Sequence, residues 1–212
     1  MRKALLAALL AALTACGPGP EKQPTDNNTP PEEQDPGLDP ENPTGGPAYP
    51  EGPYGTRVGD VVRNFALYGF RTGSGSYVNV RLSDFYDADG SKNYKVMWIN
   101  VAAGWCGPCR AEQPDMVKKC DANASKGLVC YTALTDNNDY KPADKEFIEG
   151  WGAQYKIKHA LVHDGTTKWG YYFDKAATPM NMLVDTRTMK ILYLGTGYDA
   201  AAIEAGIKQK IE

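Results

Sequence analysis

The sequence predicts an α/β domain with a central mixed β-sheet flanked by helices and a β-hairpin ahead of it. Three observations carry this reading. Tyr94 to Val101 and Leu128 to Leu134 are continuous apolar runs of strand length, the pattern of strands covered on both faces. Stretches of helical character follow each of them, Cys106 to Ala124 and Ala143 to Tyr155, so the middle of the chain alternates strand and helix. Later, Met180 to Asp185 and Lys190 to Thr196 are separated only by Thr186-Arg187-Thr188, the spacing of an antiparallel hairpin.

The other elements follow in order. Phe65 to Tyr68 and Tyr77 to Leu82, around Gly73-Ser74-Gly75, read as the opening hairpin. Ser83-Asp84-Phe85-Tyr86 reads as one helical turn capped by Ser83 or Asp84. In the helix from Cys106, residues Gln113, Met116, Val117 and Cys120 fall at helical spacing and mark the face toward the sheet. Pro114 lies inside this helix and is expected to kink it. Pro142 is placed in the first turn of the next helix. A short strand at Ala160 to Val162 and a helical turn at Thr167 to Tyr171 come next, and Asp199 caps an amphipathic helix ending at Ile211.

Three segments are expected along the 212 residues: a signal over 1–15, a tether over 16–53 and a folded domain over 54–212. Arg2 and Lys3 precede an apolar run of Ala and Leu from Ala4 to Leu13, shorter than the roughly 20 residues a membrane span requires. Eleven of the 15 prolines lie between Gly17 and Pro53, where Leu38 is the only large aliphatic residue. Such a segment buries too little apolar surface to offset its ordering entropy and serves as an extended tether. It carries most of the acidic excess behind the net charge of −3, and the lysines of the domain are scattered, which argues against a nucleic-acid surface.

Trp105-Cys106-Gly107-Pro108-Cys109 carries the chemistry. Cys106 stands where a loop enters a helix, and there free backbone N–H groups and the helix dipole stabilise a thiolate. Cys109, three residues on, can close a disulfide with it, and the pair can trade electrons with another disulfide. Cys106 is the expected attacking thiol and Cys109 the resolving one. Zinc would need two further ligands at fitting spacing, and Cys120 and Cys130 sit on predicted regular elements, so no metal is expected. A purely structural bridge is the other alternative, but a two-residue spacer at a helix start is a poor staple.

The run Asn100 to Pro114 resembles the active-site segment of the thioredoxin superfamily, and more narrowly the membrane-anchored TlpA/ResA-type thiol–disulfide oxidoreductases of the bacterial envelope. More loosely, the resemblance extends over Arg57 to Glu212. It implies a thioredoxin-like fold. By position, Thr178-Pro179 matches the superfamily's cis-proline loop, which would set the Thr178 backbone and Trp105 against an extended substrate segment. Glu112 matches a carboxylate near the pair that would relay the proton of Cys109. Asn100 stands where thioredoxin has a buried aspartate, which moves that duty to Glu112. Val101-Ala102 replaces aromatic residues of most relatives and is expected to leave a smaller-walled groove near Trp105.

Leu13-Thr14-Ala15-Cys16 similarly resembles the lipobox of bacterial lipoproteins, making Cys16 a lipid attachment site that anchors the chain to the membrane. Gly17 after it goes with the outer membrane in Gram-negative relatives. The implied activity is reduction or exchange of disulfides in envelope proteins, apo-cytochromes c among them, recharged by a membrane electron donor and without a cofactor. Gly107-Pro108 matches thioredoxin's own dipeptide and favours reduction over oxidation. A peroxiredoxin-like peroxidase would need threonine where Ala103 stands, and a non-catalytic binding lipoprotein would need to keep neither Trp105-Cys106-Gly107-Pro108-Cys109 nor Thr178-Pro179. Cys120 and Cys130 are left as either a structural disulfide or two buried thiols. His159 and His163 are expected at the surface or at strand ends.

Overall fold

The computed structural model describes residues 48–73 and 75–212. The expected signal segment, Cys16 and most of the tether lie outside the described residues. Seven strands, β1 (Ala66–Phe70), β2 (Tyr77–Arg81), β3 (Val96–Ala102), β4 (Leu128–Leu134), β5 (Ala160–His163), β6 (Met180–Asp185) and β7 (Lys190–Thr196), form one sheet in the order β2-β1-β5-β4-β3-β6-β7. β3, β4 and β5 run parallel, and β1 with β2, β1 with β5, β3 with β6 and β6 with β7 pair antiparallel. The sheet is mixed and the opening hairpin is its far edge.

Alternation along β3 sorts the core. Val96 and Trp98 join Met116 and Cys120 of helix α1 (Gly107–Asn123) and Ile203, Ile207 and Ile211 of helix α3 (Ala200–Ile211). Ala102 joins Ile148 and Trp151 of helix α2 (Lys145–Tyr155). The intervening residues Met97, Ile99 and Val101 face a separate cluster that holds no α-helical residue; Leu82, Phe85, Trp169 and Tyr172 close it. All three α-helices among the described residues therefore serve one face of the sheet, and 3-10 turns and loops cover the other.

Several boundaries move for identifiable reasons. The first strand extends to Phe70 because Gly69 and Phe70 pair with Val162 and Leu161 of β5. Asp84, not Ser83, tethers the turn at Leu82–Phe85: its carboxylate accepts from the Arg81 N–H at 2.9 Å, while the Ser83 N–H donates to Asn64. Pro142 is not in the first turn of α2. Asp144 caps that helix by accepting the Phe147 N–H, and Pro142 bridges back to Asp136. On α1, Val117 is only half-buried; Cys109 and Glu112 complete the buried stripe. Val101 belongs to the cluster on the far face of the sheet, so only Ala102 of the Val101-Ala102 pair packs near the cysteines.

Cys120 of α1 and Cys130 of β4 are joined by a disulfide with a Cα–Cα separation of 6.1 Å. Gly104, in the loop from β3 to α1, is held by close approach. A Cβ there would lie 2.7 Å from the backbone carbon of Asn137, 2.8 Å from the Asn138 nitrogen and 2.5 Å from the Phe147 ring. At Gly107 nothing lies within 4 Å of such an atom. Gly104→Ala is therefore expected to destabilise the fold by about 1–3 kcal/mol through overpacking. Gly107→Ala is expected to stay within about 0.5 kcal/mol of the parent. Urea midpoints of the two variants check this, and equal midpoints would refute the contact at Gly104.

Candidate active site

Cys106 is the N-cap residue of α1, and its sulfur accepts the Cys109 N–H at 3.1 Å. The first turn of the helix is thus aimed at this sulfur, and Pro108 within it has no N–H to leave unpaired. Cys106 and Cys109 are bonded, with Cα atoms 5.2 Å apart. Cys109 is fully buried and Cys106 keeps 3 % exposure, so any access to the bond is from the Cys106 side. Once the bond is reduced, negative charge on Cys106 meets the N–H groups and dipole of the helix start.

Across from the pair, the Thr178–Pro179 peptide is cis and leads directly into β6. The Thr178 carbonyl oxygen lies 3.7 Å from the Cys106 sulfur, and Thr178 itself is in an extended conformation. The structure thus brings Cys106, Cys109 and Thr178 together at one end of the sheet.

Beneath the pair, polar side chains of β3, α1 and β6 satisfy one another. Asn100 donates through Nδ2 to Glu112 Oε1 and, at 3.2 Å, to Asn181 Oδ1; its own Oδ1 accepts from Gln113 Nε2 at 2.9 Å. Asn181 donates to Glu112 Oε2 at 3.2 Å and accepts from Trp98 Nε1 at 2.8 Å. Glu112 is 2 % exposed, and no cationic group appears among its hydrogen-bond partners. Burial raises its pKa to about 7, against the opposing pull of the bonds from Asn181 and Asn100. Asn181 escaped the sequence reading, though a polar residue inside the apolar run Met180 to Val184 was the available signal.

Trp105 turns to a second group. Its Nε1 donates to Asp136 Oδ2 at 3.2 Å, Lys175 pairs with Asp136 Oδ1 at 2.7 Å, and the exposed Tyr140 ring stacks on the indole at 5.1 Å between centroids. Asp136, Tyr140 and Lys175 were not foreseen, since Asp136 and Tyr140 reach Trp105 from the loop after β4 and Lys175 reaches Asp136 from the segment before β6. Alongside runs an open cleft of about 500 Å³ edged by Arg110, Asn137, Asn138, Phe147 and Trp151.

The direction of the Glu112 shift has a thermodynamic consequence. A carboxyl group whose folded-state pKa lies above its unfolded value favours the fold while protonated. That contribution is complete below the unfolded value and is lost as pH rises through about 7. Between pH 5 and 8 the protein is expected to lose up to about 3 kcal/mol from this group. Glu112→Gln should flatten that slope. Urea unfolding across this range reads it, and identical slopes for both proteins would mean that Glu112 is ionised throughout.

No family profile and no curated protein match the chain. Solved structures do. The thioredoxin domain of a thiol-disulfide oxidoreductase from Bacteroides vulgatus aligns over 74 % of this chain and 99 % of its own, at 18 % identity and a TM-score of 0.53. A thiol:disulfide interchange protein from Bacteroides sp. aligns over 73 % and 90 %, at 20 % identity and a TM-score of 0.52. A Chlorobium tepidum protein provisionally described as the thiol:disulfide interchange protein DsbE aligns over 74 % and 100 %, at 22 % identity and a TM-score of 0.59. At these identities the likeness establishes the architecture: this chain has a thioredoxin-like fold, with a bonded Cys-x-x-Cys pair at the start of its first α-helix.

Proposed function

We propose that the chain is a thiol–disulfide oxidoreductase that reduces or exchanges disulfides in extracytoplasmic proteins of a bacterial envelope. The observation that carries this is the Cys106–Cys109 bond at the N-terminus of α1, with the Thr178 carbonyl 3.7 Å from the Cys106 sulfur. In the reduced pair, the Cys106 thiolate attacks a substrate disulfide and one substrate thiolate leaves, forming a mixed disulfide. Cys109 then passes its proton to Glu112 and attacks the Cys106 sulfur. The second substrate thiolate departs, and the pair is left oxidised. A membrane dithiol donor restores it by the same exchange in reverse.

Each neighbour has a part in this scheme. The Thr178 backbone is positioned to pair with an extended substrate segment, and Trp105, with Tyr140 stacked on it, would flank that segment. A Glu112 carboxyl with a pKa of about 7 exists in both protonation states near neutrality, as a relay requires. The Leu13-Thr14-Ala15-Cys16 run and the proline-rich stretch after it support a lipid anchor at Cys16, facing the periplasm from the outer membrane in a Gram-negative cell. Among the described residues no helix is long and apolar enough to cross a membrane. Envelope proteins with disulfides, apo-cytochromes c among them, are the proposed substrates.

Cys109→Ala is expected to accumulate mixed disulfides on Cys106 in membrane fractions, visible as higher bands without reductant and released by dithiothreitol. The double variant Cys106→Ala/Cys109→Ala should show none. Absence of trapped species together with no disulfide-reductase activity in the parent would sink the oxidoreductase reading in favour of a binding role. Glu112→Gln is expected to slow turnover by about 100-fold and to abolish the rise in rate through pH 7, as removal of a general base does.

A further inference from the structure

A second group of soft ligands lies away from the Cys106–Cys109 pair. Cys120 is eleven residues beyond Cys109 on α1, about 16 Å along the axis at the helical rise. Cys120, Cys130 and His159 offer ligand atoms that all lie within 4.8 Å of one another. They come from three elements: α1, β4 and the residue entering β5. Tyr131 pairs with Ala160 in the parallel ladder, which sets His159 beside Cys130. No spacing along the chain announces this, since the third member arrives through sheet register alone.

The imidazole is arranged as a ligand would be. His159 Nε2 and Thr132 Oγ1 lie 2.9 Å apart, and the Thr132 hydroxyl is 3.8 Å from Met116 Sδ. With the hydroxyl proton directed to that sulfur, the Thr132 oxygen accepts from Nε2–H, and Nδ1 is left with a lone pair. Nδ1 is buried and has no hydrogen-bond partner, an unsatisfied acceptor beside two sulfur atoms. Metal-bound histidines are held in this way, with the second ring nitrogen donating to a neighbouring oxygen.

We propose that Cys120, Cys130 and His159 form a separate site that holds a thiophilic divalent cation, Zn²⁺, whenever their disulfide is reduced. Reduction by a dithiol transfers two electrons and two protons to the sulfurs and leaves the reductant as its own disulfide. Binding then forms two sulfur–metal bonds and one nitrogen–metal bond and releases both thiol protons. The charge balance selects the ion: two thiolates neutralise Zn²⁺, whereas a monovalent copper ion would leave a net negative charge among residues that are 4 % and 3 % exposed. Water fills the fourth position of the tetrahedron, entering where the His159 residue is partly exposed. Asp121 and Lys158, each next to a ligand in sequence, are paired at 2.6 Å on the adjoining surface and add no net charge there. The pair Cys120 and Cys130 thus has two closed states, a disulfide in oxidising surroundings and a metal thiolate in reducing ones.

The test uses the full chain with Cys16, Cys106 and Cys109 replaced by serine, so that Cys120 and Cys130 are its only thiols. After reduction by a phosphine and its removal under anaerobic conditions, Zn²⁺ is titrated against a chromophoric chelator, with Co²⁺ as the spectroscopic probe. The expected result is one Zn²⁺ per reduced chain, none per oxidised chain, a thiolate-to-Co²⁺ charge-transfer band, and protection of both thiols from alkylation. His159→Ala and His159→Gln should each weaken binding at least tenfold, with circular dichroism reporting whether each variant is folded. No binding by the reduced, folded parent would overturn the proposal. So would equal affinity in a folded His159 variant, or binding of Cu⁺ but not Zn²⁺.

Discussion

Asn100 occupies the middle of β3, a strand in which every residue is buried, so its amide must find all its partners inside the protein. It finds them on two other elements: Glu112 and Gln113 of α1, and Asn181 of β6. An unsatisfied amide there would cost about 1–3 kcal/mol, so the helix and both strands are locked in one relative placement. That placement fixes the first turn of α1 and the start of β6. Those two segments carry the cysteine pair and Thr178.

The same network decides the electrostatics below the pair. Glu112 is surrounded by amides, which solvate a carboxylate only partly. Its oxygens accept from Asn100 and Asn181, and burial still outweighs these bonds. A lysine at either amide position would hold the carboxyl permanently ionised. Neutral donors leave it near the balance point at neutral pH, where a proton can arrive and leave at small cost.

The parallel core and its hairpins were legible because they rest on local pattern. The apolar runs of β3 and β4, and the close spacing of β6 and β7, reflect burial and turn length directly. The Cys-x-x-Cys pair was legible for a similar reason, since one helix start contains its whole local environment. What escaped depends on pairing across the sheet. Asn181 meets Asn100 only because β6 lies antiparallel to β3 in a register that sets them opposite. His159 meets Cys130 only through the β4–β5 ladder, and loops bring Asp136 to Trp105 and Lys175 to Asp136. Pro142 was misplaced because Asp144 offers a side-chain oxygen to the helix start, and a cap of that kind sets the boundary more firmly than a proline's fixed φ.

The strands β3, β4 and β5 are parallel and end together, at Ala102, Leu134 and His163. The chain leaves each of them into a different loop on the same rim: one holds Trp105, the next Asp136 and Tyr140, and the third Asp164, whose carboxylate accepts from the Lys168 and Trp169 N–H groups. The first two of these loops are tied together by the bond from the Gly104 N–H to the Asp136 carbonyl at 2.8 Å and by the close approach of Gly104 to Asn137 and Asn138, whereas Tyr140 meets Trp105 through its ring. Substitution of the exposed Tyr140 can therefore reshape the surface next to the indole without disturbing the amide lattice beneath the sulfurs. Chains with the same interior can thus differ at this rim by changing that one exposed ring.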